Sequence, residues 1–79
     1  MQPKKGDLIT LEDNTKFVIV ETLIEDENIY HCIVSEDGAI TVFVQEEVNE
    51  KGQSSMAAVI DEEKQIELAQ KFDAIMNNN

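Results

Sequence analysis

Phe17-Val18-Ile19-Val20-Glu21-Thr22-Leu23-Ile24 is the longest β-branched run in the chain, and its reading decides the fold. Val, Ile, Phe and Thr suit a pleated, half-buried surface, so the run predicts a strand over about 16–24. It ends at Glu25-Asp26-Glu27-Asn28, a cluster of turn formers. A three-residue loop, Asp26-Glu27-Asn28, with Asn28 left-handed, would set Ile24 opposite Tyr30, Thr22 opposite Cys32 and Val20 opposite Val34. The next strand, about 29–35, ends at Glu36-Asp37-Gly38, with glycine where positive φ is needed. There a two-residue loop would pair Val34 with Thr41 and Ser35 with Ile40, mixing apolar with polar. A three-residue loop pairs Val34 with Ile40, Cys32 with Val42 and Tyr30 with Val44. Because a slip of one residue exchanges the faces, the sorted register is preferred.

Glu50-Lys51-Gly52 repeats the logic and joins a strand over about 39–48 to one over 54–60, with Val44 against Ala58. One face then carries Val18, Val20, Ile24, Tyr30, Cys32, Val34, Ile40, Val42, Val44, Met56, Ala58 and Ile60. Upstream, Leu8–Leu11 predicts a short strand before the turn cluster Glu12-Asp13-Asn14. Downstream the period changes. Asp61 is a candidate N-cap, and Glu62 and Glu63 fall where the helix dipole favours anions. Leu68, Ala69, Phe72, Ile75 and Met76 share one side at 100° per residue, with Ile66 at its margin. Glu63, Lys64, Glu67, Gln70 and Lys71 lie on the other, Glu67 and Lys71 forming an i,i+4 pair. The helix is predicted over about 62–76, with a disordered tail at 77–79. The expected fold class is α+β, a single domain over 1–79. A strongly twisted antiparallel meander of four to five strands carries one C-terminal helix packed on it.

Composition narrows the function classes. Six lysines oppose seventeen acids, giving a net charge of −11, and there is no arginine. Residues 1–16 balance, so the whole excess arises from residue 17 onward, where three lysines face fourteen acids. An acidic surface without arginine argues against direct nucleic-acid binding. A polar N-terminus argues against a signal peptide, and no apolar run approaches a membrane span. One cysteine permits no intrachain disulfide. A cytoplasmic location and no membrane association are expected.

Candidate chemistry is sparse. His31 and Cys32 are adjacent and so point to opposite faces of a strand, which prevents a dyad. Cys32 falls on the expected core face as a buried thiol, and His31 reads as a surface or partly covered residue with no nucleophile beside it. One Cys and one His cannot complete a zinc site. Glu25-Asp26-Glu27, Glu46-Glu47 and Asp61-Glu62-Glu63 lack the alternating ligand pattern of a calcium loop and read as solvated turns and a helix start. No catalytic residue, cofactor or metal ligand is assigned, and an enzyme is not expected.

The stretches Ile9-Thr10-Leu11-Glu12-Asp13, Phe17–Leu23, Tyr30 with its strand, Ile40-Thr41-Val42-Phe43 and Val59-Ile60-Asp61-Glu62-Glu63 together resemble the YrzB-like family of small acidic proteins of Gram-positive bacteria, a domain of unknown function. The match runs from Ile9 to about Met76 and lies in architecture and acidic turns, with serine at 54 and 55 where acids are usual. The resemblance implies a cytosolic, bacterial or phage-borne protein and carries over no catalytic residues.

Two functional expectations follow. Phe17, Ile19, Leu23, Ile29, Ile33, Phe43 and Val59 occupy the face opposite the sorted one, diluted by Glu21, His31 and Thr41. One helix cannot cover both faces. The surplus must be wrapped by a curled sheet with the Leu8–Leu11 hairpin, buried by a second copy, or used for a protein partner. The leading expectation is a non-enzymatic protein-interaction module or self-associating domain, with Phe17, Ile19, Leu23, Ile29, Ile33 and Phe43 as the partner face. The alternative is an acidic nucleic-acid mimic that occupies a basic groove.

Overall fold

The computed structural model describes residues 4–11 and 13–77. The expectations for Met1–Pro3, for Glu12 in the first turn and for the end of the tail lie outside them. Five antiparallel strands, β1 (Leu8–Thr10), β2 (Lys16–Glu25), β3 (Asn28–Ser35), β4 (Thr41–Val48) and β5 (Ser54–Ala58), form one sheet in the order β1-β2-β3-β4-β5. The helix α1 (Glu62–Asn77) follows. This is the expected α+β meander with a C-terminal helix. Asp61 caps α1, its carboxylate accepting from Glu63 N–H at 3.1 Å and its carbonyl from Gln65 N–H at 2.9 Å.

Two strand registers differ from those predicted. The β2–β3 loop is only Asp26-Glu27, both left-handed (φ 51° and 70°), and it pairs Glu25 with Asn28 and Leu23 with Tyr30. That is the geometry whose twist matches the flanking strands. Further along, Val20 is an extra residue. The register shifts between Ile19 and Glu21, after which Ile19 pairs with Ile33 and Phe17 with Ser35. The bulge reverses which side of β2 faces the core.

Between β3 and β4, Val34 pairs with Thr41, the register that mixes apolar with polar. The reason is local. Ala39 is a fourth loop residue, its N–H donating to Asp37 at 3.0 Å, while the Ser35 hydroxyl donates to the same carboxylate oxygen at 2.6 Å and accepts from Ile40 N–H at 3.0 Å. These two bonds hold the Asp37 carboxyl below the usual carboxylate range. The β4–β5 connection agrees with its prediction. Gly52 is left-handed (φ 79°), and Val44 pairs with Ala58.

Shifting β2 and β4 against β3 redistributes both expected faces. Under the helix lie Tyr30, Cys32, Leu68 and Phe72, packed with Val20, Leu23, Phe43 and Val59. On the other face Phe17, Ile19, Ile33 and Val44 form a second cluster, closed by Ile9, Leu11, Val42 and Met56. Ile9 and Leu11 belong to the first strand and its turn, and Met56 to β5. Side chains from both ends of the sheet therefore meet over the same cluster, so the sheet curls upon itself. The helix buries a narrower stripe than its periodicity suggests. Leu68 and Phe72 are enclosed, whereas Ala69, Ile75 and Met76 are exposed. Lys64 and Lys71, expected on the solvent side, instead fold over the sheet. Both ammonium groups contact the Glu25 carboxylate and that of Glu67, and Lys64 lies 4.8 Å from the centre of the Tyr30 ring.

The Asp26-Glu27 turn carries a measurable cost. A left-handed residue other than glycine, asparagine or aspartate is disfavoured by about 1–2 kcal/mol, so the cost falls on Glu27. Asp26→Asn with Glu27→Gly installs the preferred pair for this turn. The double variant is expected to unfold about 1 kcal/mol or more above the parent in urea. An unchanged or lowered midpoint would show that the acidic turn is not strained.

Candidate functional site

The six residues proposed as a partner face do not form one. Phe17, Ile19 and Ile33 are buried in the inner cluster, Leu23 and Phe43 pack under the helix on the opposite side, and Ile29 is half-buried. The one-residue displacements in register account for the mixture, since each moves a strand's side chains to the other face. Val59, grouped with them, also packs under the helix. Of the three ways to cover the surplus face, closure by the curled sheet and the first hairpin is the one this structure adopts.

On the curled face a polar chain crosses three strands. Thr22 on β2 is paired with His31 on β3, and its hydroxyl lies 2.8 Å from His31 Nδ1. His31 Nε2 lies 3.0 Å from Glu46 Oε1 on β4. His31 is 0 % exposed and Glu46 6 %. A neutral imidazole donates from Nε2 to the carboxylate and accepts the threonine proton at Nδ1; an imidazolium donates at both ends. The second carboxylate oxygen, Oε2, is buried with no hydrogen-bond partner among the described residues. His31 was expected to be at least partly accessible with no nucleophile near it. Instead it is enclosed, and a hydroxyl sits beside it. Hydroxyl, imidazole and carboxylate are the components of an acyl-transfer triad. His31 and Glu46 are both buried, and only the threonine end of the chain is partly open to solvent. The chain works as a tie across β2, β3 and β4. The two-residue turn is the signal that reveals it, because it sets Thr22 against His31.

Cys32 lies on the opposite side of β3, a buried free thiol. Burial pushes its pKa up, with the Glu21 carboxylate adding in the same direction, so it stays protonated and poorly nucleophilic. Among the described residues no group of three or more His, Cys, Asp or Glu side chains is arranged to hold a metal ion. Nor is any described helix long and apolar enough to cross a membrane.

The surface is most distinctive at the corner between β5 and α1. Ile60 is 86 % exposed. It lines two open clefts. One, of about 340 Å³, runs between Tyr30, Gln45, Glu47, Asp61 and Lys64. The other, of about 350 Å³, is lined by Thr41, Val42, Phe43, Val59 and Gln65. Gln65 fixes the corner by donating from its side-chain amide to the Val59 carbonyl at 2.7 Å. Ile66, in the second turn of α1, is also well exposed. The arrangement offers an apolar prominence between two shallow clefts, one of them bordered by the Glu47 and Asp61 carboxylates and the Lys64 ammonium. Alternation along 54–60 places Ile60 on the core face, but β5 ends at Ala58 and the chain turns outward beyond it. No family model matches this chain, and neither the curated proteins nor the solved structures show a match to it.

Proposed function

We propose that the protein is a non-enzymatic interaction module that engages another protein at the β5–α1 corner. The observation that supports this most directly is Ile60 between two clefts, the most exposed of the large apolar side chains among the described residues, above Leu8 and Ile24. A large aliphatic side chain held out by a hydrogen-bonded corner is a suitable anchor for a partner pocket. The YrzB-like resemblance belongs to the same proposal, as do a cytoplasmic location and the lack of direct nucleic-acid contact. It implies a small acidic intracellular protein and supplies no catalytic residue.

The test compares the parent with Ile60→Lys in pull-downs from the host, followed by hydrogen exchange on the captured complex. Because the side chain is already in solvent, the variant folds as the parent does. The expected result is a protein retained by the parent and lost on Ile60→Lys, with protection over residues 56–66. A captured set indifferent to the substitution would overturn the reading.

One observation favours a second reading, the acidic nucleic-acid mimic. The lysines at 64 and 71 are engaged with Glu25 and Glu67, and Lys5 with Glu21. The Asp26 and Glu27 carboxylates, at the tip of the β2–β3 turn, face solvent and form no ion pair among the described residues. Mimicry requires steeply salt-dependent affinity for a basic nucleic-acid enzyme, and protection at the turns rather than at the corner.

A further inference from the structure

We propose that the free edge of β5 accepts an extended, lysine- or arginine-bearing segment of a partner protein as a sixth strand. This rests on the interaction reading above and names the surface and the chemistry of its occupant.

Val59 N–H donates to the Phe43 carbonyl at 2.9 Å, which fixes the phase of hydrogen bonding between β4 and β5. In an antiparallel pair bonded and non-bonded positions alternate. Ala57 and Ser55 therefore point their backbone groups at β4, whereas Ser54, Met56 and Ala58 direct N–H and C=O outward. These outward groups have no backbone partner among the described residues. Natural edge strands are usually guarded by charges, proline or bulges. From Gln53 to Ile60 the chain has no charged residue, no proline and no glycine. The opposite edge, β1, is only three residues long and follows Lys4, Lys5 and Asp7. The two edges differ in kind, and only β5 offers an unguarded template.

Charge selects the occupant. Glu47 and Asp61 line the cleft beside Ala57 and Ala58 on the helix side of this edge, and Glu62 and Glu63 follow in the first turn of α1. Lys64, the cation lining the same cleft, is committed to Glu25 and Glu67. Strand addition supplies backbone bonds without sequence preference, and side chains at alternate positions supply selectivity. Basic residues on the helix side of the incoming strand meet these carboxylates. Ile60 at the end of the edge receives an apolar residue. A second copy of this chain, with its net charge of −11, would bring like charges together along the same line.

The probe is a capped eight-residue peptide alternating lysine and valine, titrated into isotopically labelled protein and followed by amide shifts and exchange. The expected result is perturbation and slowed exchange at Ser54, Met56 and Ala58, and binding that weakens as salt is raised. N-methylating the peptide at every second residue should weaken binding roughly tenfold in one alternation phase and much less in the other, as loss of strand hydrogen bonds requires. The same peptide with glutamate for lysine should bind at least tenfold more weakly. Equal effects of both methylation phases, no binding at millimolar peptide, or a dimer already protected at β5 would each overturn the proposal. If the peptide fails while a host protein is still lost on Ile60→Lys, the edge is wrong and the interaction reading stands. If the host protein is also unaffected, both fall.

Discussion

Exchanging His31 for leucine alone is expected to lower the unfolding free energy by about 3–5 kcal/mol, because it strands the Glu46 carboxylate in the interior without a partner. A domain of this length has roughly 4–12 kcal/mol in total, taking about 0.05–0.15 per residue, so the single variant approaches the limit of folding. Replacing both members, His31→Leu with Glu46→Met, removes the buried pair and its desolvation together. It is expected to recover the loss and to equal or exceed the parent. Glu46 Oε2 sharpens the expectation, since this carboxylate oxygen already has no donor among the described residues. Urea titration of the parent, the single variants and the double variant measures the coupling. Additive losses would mean that His31 and Glu46 do not act as a pair.

Phe72→Ala should produce a loss of similar size for a different reason. The ring is 1 % exposed and stacks on Phe43 with centroids 5.6 Å apart and planes 4° from parallel. Truncating a buried phenylalanine costs about 3–5 kcal/mol through lost transfer energy and the cavity left behind. The aromatic pair adds about 0.5–1.5 kcal/mol to that. Phe72→Leu retains most of the apolar volume and should lose distinctly less. Ile75→Ala, three residues on along α1, should lose less still, because Ile75 is 38 % exposed. If Ile75→Ala proved as damaging as Phe72→Ala, the helix would sit on the sheet in a different rotation from the one described. Together the two experiments separate the faces, one probing the curled side and the other the side under the helix.

The elements of this fold were legible in the chain, and their lateral alignment was not. β-branched runs, turn clusters and a change of period located five strands and one helix, because those signals are local. Register depends on a single residue at each junction. Asp26 suits the first position of a two-residue turn, but Glu27 conceals it, since glycine is usual at the second. Sorting apolar residues onto one face was a sound rule applied to a sheet with a buried polar chain, where Thr22, His31 and Glu46 belong inside. Val20 gave no warning either, as a valine bulge looks like any other valine in a strand. The proposed partner face was built on those alignments and dissolved with them. The exposed corner was hidden for a related reason. Alternation predicts which side a residue takes while a strand lasts, and β5 stops two residues before Ile60.

The order β1-β2-β3-β4-β5 has a kinetic consequence. Each strand bonds only to its neighbours in sequence, so every ladder closes across a short turn and little chain entropy is lost before contacts form. Such a sheet can assemble by successive hairpins, starting wherever a turn closes first. What must wait is the meeting of Ile9 and Leu11 with Met56 over the inner cluster, which joins parts of the chain more than forty residues apart. Late closure of that kind leaves the ends of the sheet as the last parts to form and the first to open. Amide exchange should therefore be slowest at Ile33 and Val44 and fastest along β1 and β5.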